Sequence, residues 1–159
     1  MRITKSLRKF FALALCMIMA CSLSVGAFAA EVSATEYSQN GTSNEVVTIN
    51  LDEVLSETDI ENLNSRGNII LDASKAKLYN VGSLRAGQTV NINVVWGPSN
   101  YELHIGLVKS SSSTGNLAVV RGGSASINAT VPTAGTYYLM IANPSTTQAL
   151  TVSHLSYAK

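Results

Sequence analysis

The 159-residue sequence predicts an all-β chain, an antiparallel sandwich or jelly roll of about seven to eight strands. Three observations lead there. From residue 67 onward apolar residues recur at every second position in one segment after another, turn-forming clusters separate those segments at short intervals, and no long stretch between them carries a helical apolar period.

In chain order, the first element is expected to be a secretory signal peptide over residues 1–29. Residues 1–9 carry Arg2, Lys5, Arg8 and Lys9 and no acid, residues 10–25 are almost wholly apolar, and Ala27 and Ala29 are the small residues that precede a cut, placed after Ala29. An apolar core of about 16 residues falls short of the roughly 20 that a spanning helix needs, so the mature chain is expected to have no membrane span. The alternative is a lipid anchor on Cys21, because Ile18-Met19-Ala20-Cys21 loosely resembles a lipobox, with Met19 its poorest fit. Both cysteines and all three phenylalanines lie in this leader. The expected secreted, extracellular product is therefore cysteine-free, with no disulfide, thiol nucleophile or cysteine-based metal site.

Residues 30–66 carry eight acids against one base, Arg66. Residues 30–44 show no periodicity and few large apolar groups, which reads as a flexible tail. Residues 46–51 (V-V-T-I-N-L) suit a short strand. Val54, Leu55, Ile60 and Leu63 then sit at loosely helical spacing behind Asp52, an N-cap type, so a short helix is expected over 53–64. The turn-like Ser65-Arg66-Gly67-Asn68 marks the boundary of a β-domain at 67–159, and also offers a protease site that would release an acidic propeptide.

Within that domain residues 89–96 place Val90, Ile92, Val94 and Trp96 on one face against Asn91 and Asn93 on the other. Residues 101–108 set Leu103, Ile105 and Leu107 against Glu102 and His104, and residues 124–131 alternate Ala125, Ile127, Ala129 and Val131 with Ser126, Asn128 and Thr130. Shorter strands are expected at 68–71, 77–81 and 117–120, and closing strands at 136–143 and 150–157. The expected core is Val90, Ile92, Val94, Leu103, Ile105, Leu107, Ile127, Val131, Tyr137, Leu139, Ile141 and Val152.

The order L-x-A-G-Q-T-V-x-I-x-V (Leu84 to Val94), L-x-I-G-L (Leu103 to Leu107), A-G-T-Y-Y-L-x-I-x-N (Ala134 to Asn143) and T-V-S (Thr151 to Ser153) weakly resembles the bacterial pre-peptidase C-terminal (PPC) β-sandwich, over about residues 77–157. The resemblance implies a sandwich of the non-catalytic kind that accompanies secreted enzymes and is linked with substrate or surface attachment. The acidic loop residues that some members of that family carry, for calcium, are mostly missing from this chain.

The residue inventory gives no sign of an enzyme. A glycosidase needs two carboxylates across a cleft, and the β-domain has only Asp72 and Glu102. A serine triad needs a histidine backed by an acid, yet His104 lies on an outer strand face beside Glu102, His154 is in the last strand, and no G-x-S-x-G elbow occurs. Those two histidines, fifty positions apart, make no zinc spacing. Six bases scattered singly over residues 67–159 are no nucleic-acid footprint, and no cofactor is expected.

Trp96 and Tyr101 flank the turn Gly97-Pro98-Ser99-Asn100, where two rings with nearby amides and hydroxyls suit a sugar or peptide. The ligand-contact candidates are Trp96, Asn100, Tyr101 and Tyr138. Against this, Trp96 is in phase with the core residues of its strand. The leading expectation is a non-catalytic secreted or cell-surface binding module for a glycan, cell-wall polymer or protein. The alternative is an antimicrobial or toxin-like effector masked by the acidic residues 30–66.

Overall fold

A computed structural model describes residues 34–40, 42–52, 60–61, 63 and 67–159. The signal peptide, its cleavage after Ala29 and the Cys21 anchor lie outside the described residues, as does most of the helix expected over 53–64.

Twelve strands occur among the described residues: β1 (Glu36–Gln39), β2 (Thr42–Ser43), β3 (Val46–Asn50), β4 (Ile60–Glu61), β5 (Ile69–Leu71), β6 (Ala76–Leu84), β7 (Thr89–Gly97), β8 (Leu103–Lys109), β9 (Thr114–Val120), β10 (Ser124–Thr130), β11 (Gly135–Ala142) and β12 (Leu150–Ala158). They form two six-stranded sheets, the first in the order β2-β1-β10-β7-β12-β5 and the second in the order β3-β9-β8-β11-β6-β4. Every pairing is antiparallel except β4 with β6. The fold is the β-sandwich that the alternation predicts. All eight strands expected after residue 67 are present as β5 to β12, and the short strand expected at 46–51 is β3.

The inward faces of both sheets meet in one core. All twelve residues expected there are buried, joined by Trp96, Tyr37, Tyr79, Val81 and Val120 among others. Period two delivers this directly: on β7, Val90, Ile92, Val94 and Trp96 are all 3% exposed or less, while Val95 is 41% exposed.

Four expectations about the acidic segment are corrected. Residues 36–39 are not part of a flexible tail but a strand of the first sheet, with Tyr37 opposite Ala129 and its ring in the core. A β-domain boundary at residue 67 is likewise displaced, because β1 and β3 extend the two sheets from the N-terminal side. At Ile60 and Glu61, inside the expected helix, the backbone pairs in parallel with Leu78 and Tyr79, and the Glu61 carboxylate meets Lys77 Nζ at 3.2 Å. The expected cap moves too: Leu51 and Asp52 are helical, and the Asp52 amide donates to Asn50 Oδ1 at 3.0 Å.

The outer face of the second sheet is apolar as well. Leu78, Val108, Leu117 and Met140 are at most 1% exposed and cluster there with Leu51. Strand runs such as L-A-V-V (117–120) and L-M-I (139–141) lose the strict alternation because both of their faces are covered.

Candidate functional site

The β7–β8 turn and the β11–β12 turn lie side by side and enclose a groove of about 290 Å³ lined by Tyr101, Glu102, Pro144, Ser145 and Thr146. Each turn is held by one side chain. On the first, the buried Trp96 indole donates from Nε1 to the Tyr101 carbonyl at 2.9 Å, while the Tyr101 amide reaches the Pro98 carbonyl at 3.3 Å. Gly123 backs this turn with a φ of +82°, and a Cβ there would sit 2.7 Å from Ser99 Cβ, so the close approach requires glycine.

On the second turn the organiser is Asn143, 2% exposed. Its Nδ2 donates to the carbonyls of Leu71 (3.1 Å), Asp72 (3.1 Å) and Gln148 (2.8 Å), and its Oδ1 accepts the Ser145 amide at 3.0 Å. A single buried carboxamide thus ties the start of the β11–β12 turn, its far end and the β5–β6 turn together. The sequence marks Asn143-Pro144-Ser145 only as a turn; that its amide points inward needs the tertiary fold.

Beside the groove runs an ionic chain. Arg121 bridges Glu45 and Glu102 with two 2.8 Å contacts, and the other Glu102 oxygen lies 3.3 Å from His104 Nε2. Glu102 is therefore spent on both oxygens, an arrangement that orders the groove wall rather than presenting a free base. Among the described residues no group of three His, Cys, Asp or Glu side chains is placed to hold a metal, and no helix is long and apolar enough to cross a membrane.

The four ligand-contact candidates are not brought together. Tyr101 is half-buried, its ring resting on the core and lining the groove, and Asn100 is exposed on the adjoining turn. Trp96 is corrected from ligand contact to core: at 3% exposed it has no surface to offer. Tyr138 packs half-buried against the outer apolar cluster of the second sheet, where Val108 is its neighbour in register, and does not line the groove. Sequence reasoning missed Pro144, Ser145 and Thr146, which come beside Tyr101 from more than forty residues away along the chain.

A second concavity, of about 490 Å³, lies between β1 and β3 and is lined by residues that include Tyr37, Asn44, Val46 and Asn116. Its floor is unusual. The Tyr37 hydroxyl enters between β8 and β9, accepts the Leu107 amide at 2.9 Å and donates to the Asn116 carbonyl at 2.6 Å, standing where the two strands would pair directly. Gly106 makes room for it: a Cβ there would collide with the Tyr37 hydroxyl and lie 2.8 Å from its ring carbon.

No protein-family model matches the chain, and no curated protein matches it. Among solved structures it is similar to the pre-peptidase C-terminal domain of a collagenase from Bacillus anthracis, at 18% identity and a TM-score of 0.41, over 64% of this chain and 95% of that one.

Proposed function

We propose that the protein is an exported, non-catalytic β-sandwich that binds a glycan through the Tyr101 groove. The observation that carries the reading is the half-exposed Tyr101 ring set into a groove with Pro144 and with the hydroxyl-bearing Ser145 and Thr146. A flat aromatic face stacks on the apolar face of a sugar ring, and hydroxyls around it fix the ring's orientation. Both turns are fixed by hydrogen bonds from buried side chains, Trp96 and Asn143, so little side-chain order has to be supplied on binding. The occupied carboxylate of Glu102 favours binding over hydrolysis. The basic, apolar and small-residue succession of residues 1–29 supports export.

Retention of the protein on insoluble polysaccharides and bacterial cell walls tests this. Tyr101→Ala is expected to lose at least tenfold in affinity at a temperature where the variant, slightly destabilised by the loss of a ring that rests on the core, stays folded, and equal retention of wild type and variant overturns the assignment. The masked-effector reading finds no support in the fold, because residues 36–51 supply two long-range strands and the buried Tyr37 and Leu51.

A further inference from the structure

Among the described residues four strands form the edges of the two sheets, and three of them are protected by brevity: β2 and β4 have two residues each and β5 three. β3 is different. Its five residues, V-V-T-I-N, hold a run of β-branched side chains with no charge, proline or glycine, the devices that normally blunt an exposed edge. The Glu45 carbonyl accepts the Val119 amide and the Leu51 amide donates to the Ser113 carbonyl, so in the β3–β9 register Glu45, Val47, Ile49 and Leu51 turn their backbone groups toward β9. Val46, Thr48 and Asn50 turn theirs away, along the open side of the sheet, and all three are exposed, Val46 by 44%.

Two further features adjoin this edge. The 490 Å³ concavity opens between β3 and β1, where the inward side chains of any strand added beside β3 would point. Asn44, which lines it, carries a buried Oδ1 with no hydrogen-bond partner among the described residues, an acceptor in need of a donor. The charge around the edge is acidic: Glu36 lines the concavity, Asp52 follows β3, and the nearby Arg121 is shared between Glu45 and Glu102.

We propose that β3 and the concavity beside it dock an extended segment of another protein, which adds as a further strand of the second sheet. Its main chain pairs with Val46, Thr48 and Asn50, its inward side chains enter the concavity that Asn44 lines, and basic residues flank it. This site shares no lining residue with the Tyr101 groove, so the two readings stand or fall separately.

Selection of a phage-displayed random heptapeptide library on the protein tests the inference, with Thr48→Pro as counter-target. Proline at position 48 removes an amide that faces away from β9 and leaves the β9 pairs in place. Enriched peptides are expected to carry basic residues, to slow amide exchange at Val46, Thr48 and Asn50, and to lose at least tenfold in affinity on Thr48→Pro but not on Thr48→Val. Asn44→Ala is expected to weaken them severalfold. Peptides N-methylated at alternate residues repeat the test on the unaltered protein and are expected not to bind. The proposal is overturned if no enriched peptide protects those three amides. It is equally overturned if binding survives both Thr48→Pro and N-methylation, or if β3 is occupied by a second copy, seen as a concentration-dependent dimer abolished by Thr48→Pro.

Discussion

Replacing Tyr37 by Phe keeps the buried ring and removes one oxygen, so it isolates what that oxygen does between β8 and β9. Two backbone groups lose their partner, the buried Leu107 N–H at 2.9 Å and the partly buried Asn116 carbonyl at 2.6 Å. An unsatisfied buried backbone group costs about 1–3 kcal/mol, and the lost hydroxyl no longer has to be desolvated, which leaves a net destabilisation of about 3 kcal/mol. For a domain of this size that corresponds to a melting temperature about 10 °C lower. Urea unfolding followed by circular dichroism reads the change as a lower midpoint at unchanged slope. A loss below about 1 kcal/mol would refute the reasoning, since it would mean that β8 and β9 close over the gap and pair directly once the hydroxyl is gone.

Other outcomes follow from the same accounting of buried polar groups. The Tyr79 hydroxyl is buried without a hydrogen-bond partner among the described residues, so Tyr79→Phe is expected to be neutral or to stabilise by up to about 1 kcal/mol in the same urea assay, the opposite of Tyr37→Phe. Asn143→Ala strips three carbonyls and one amide of their partner and is expected to cost about 2–3 kcal/mol; it should also abolish glycan retention, which pull-down at a temperature where the variant stays folded checks. Burial, reinforced by the Glu61 carboxylate, pushes the Tyr79 phenol up to about 12 from the ordinary 10, and burial pushes Tyr37 further in the same direction. Above pH 10 the unfolded chain releases those protons while the folded chain keeps them, so stability is expected to fall as pH rises from 10 toward 12; chemical melts at pH 9, 10 and 11 check the sign.

The parts of this fold legible in the sequence are those in which one face of a strand is wet. On β7 and β10 the alternation of Val90, Ile92 and Val94 with Asn91 and Asn93, and of Ile127 and Ala129 with Ser126 and Asn128, predicts strand, register and core together. Where both faces are covered the period disappears, so the apolar outer cluster around Met140, Val108 and Leu117 gives no sign of itself beyond unbroken apolar runs. β1 was illegible for another reason: E-Y-S-Q has one apolar residue, and that residue is held by Leu107 and Asn116, seventy and more positions away. The Tyr101 groove was half legible. The turn that carries the ring shows in Gly97-Pro98-Ser99-Asn100, but its facing wall depends on Asn143 turning inward to carbonyls of the β5–β6 turn and of the far end of its own turn, which no local pattern records.

The placement of β1 and β3 also sets an order of events. Glu36 pairs with Thr130 and Val46 with Ala118, and β5 waits for β12, so three of the early strands have sheet partners more than seventy residues further along the chain. Such long loops must close before any of these pairings is rewarded, which slows folding and defers it until nearly the whole chain is available. A growing chain of this topology cannot complete its first sheet until its last strand arrives. Its early edge strand β3 meanwhile stands unprotected, so the period between synthesis and closure is when the protein is most vulnerable to mispairing.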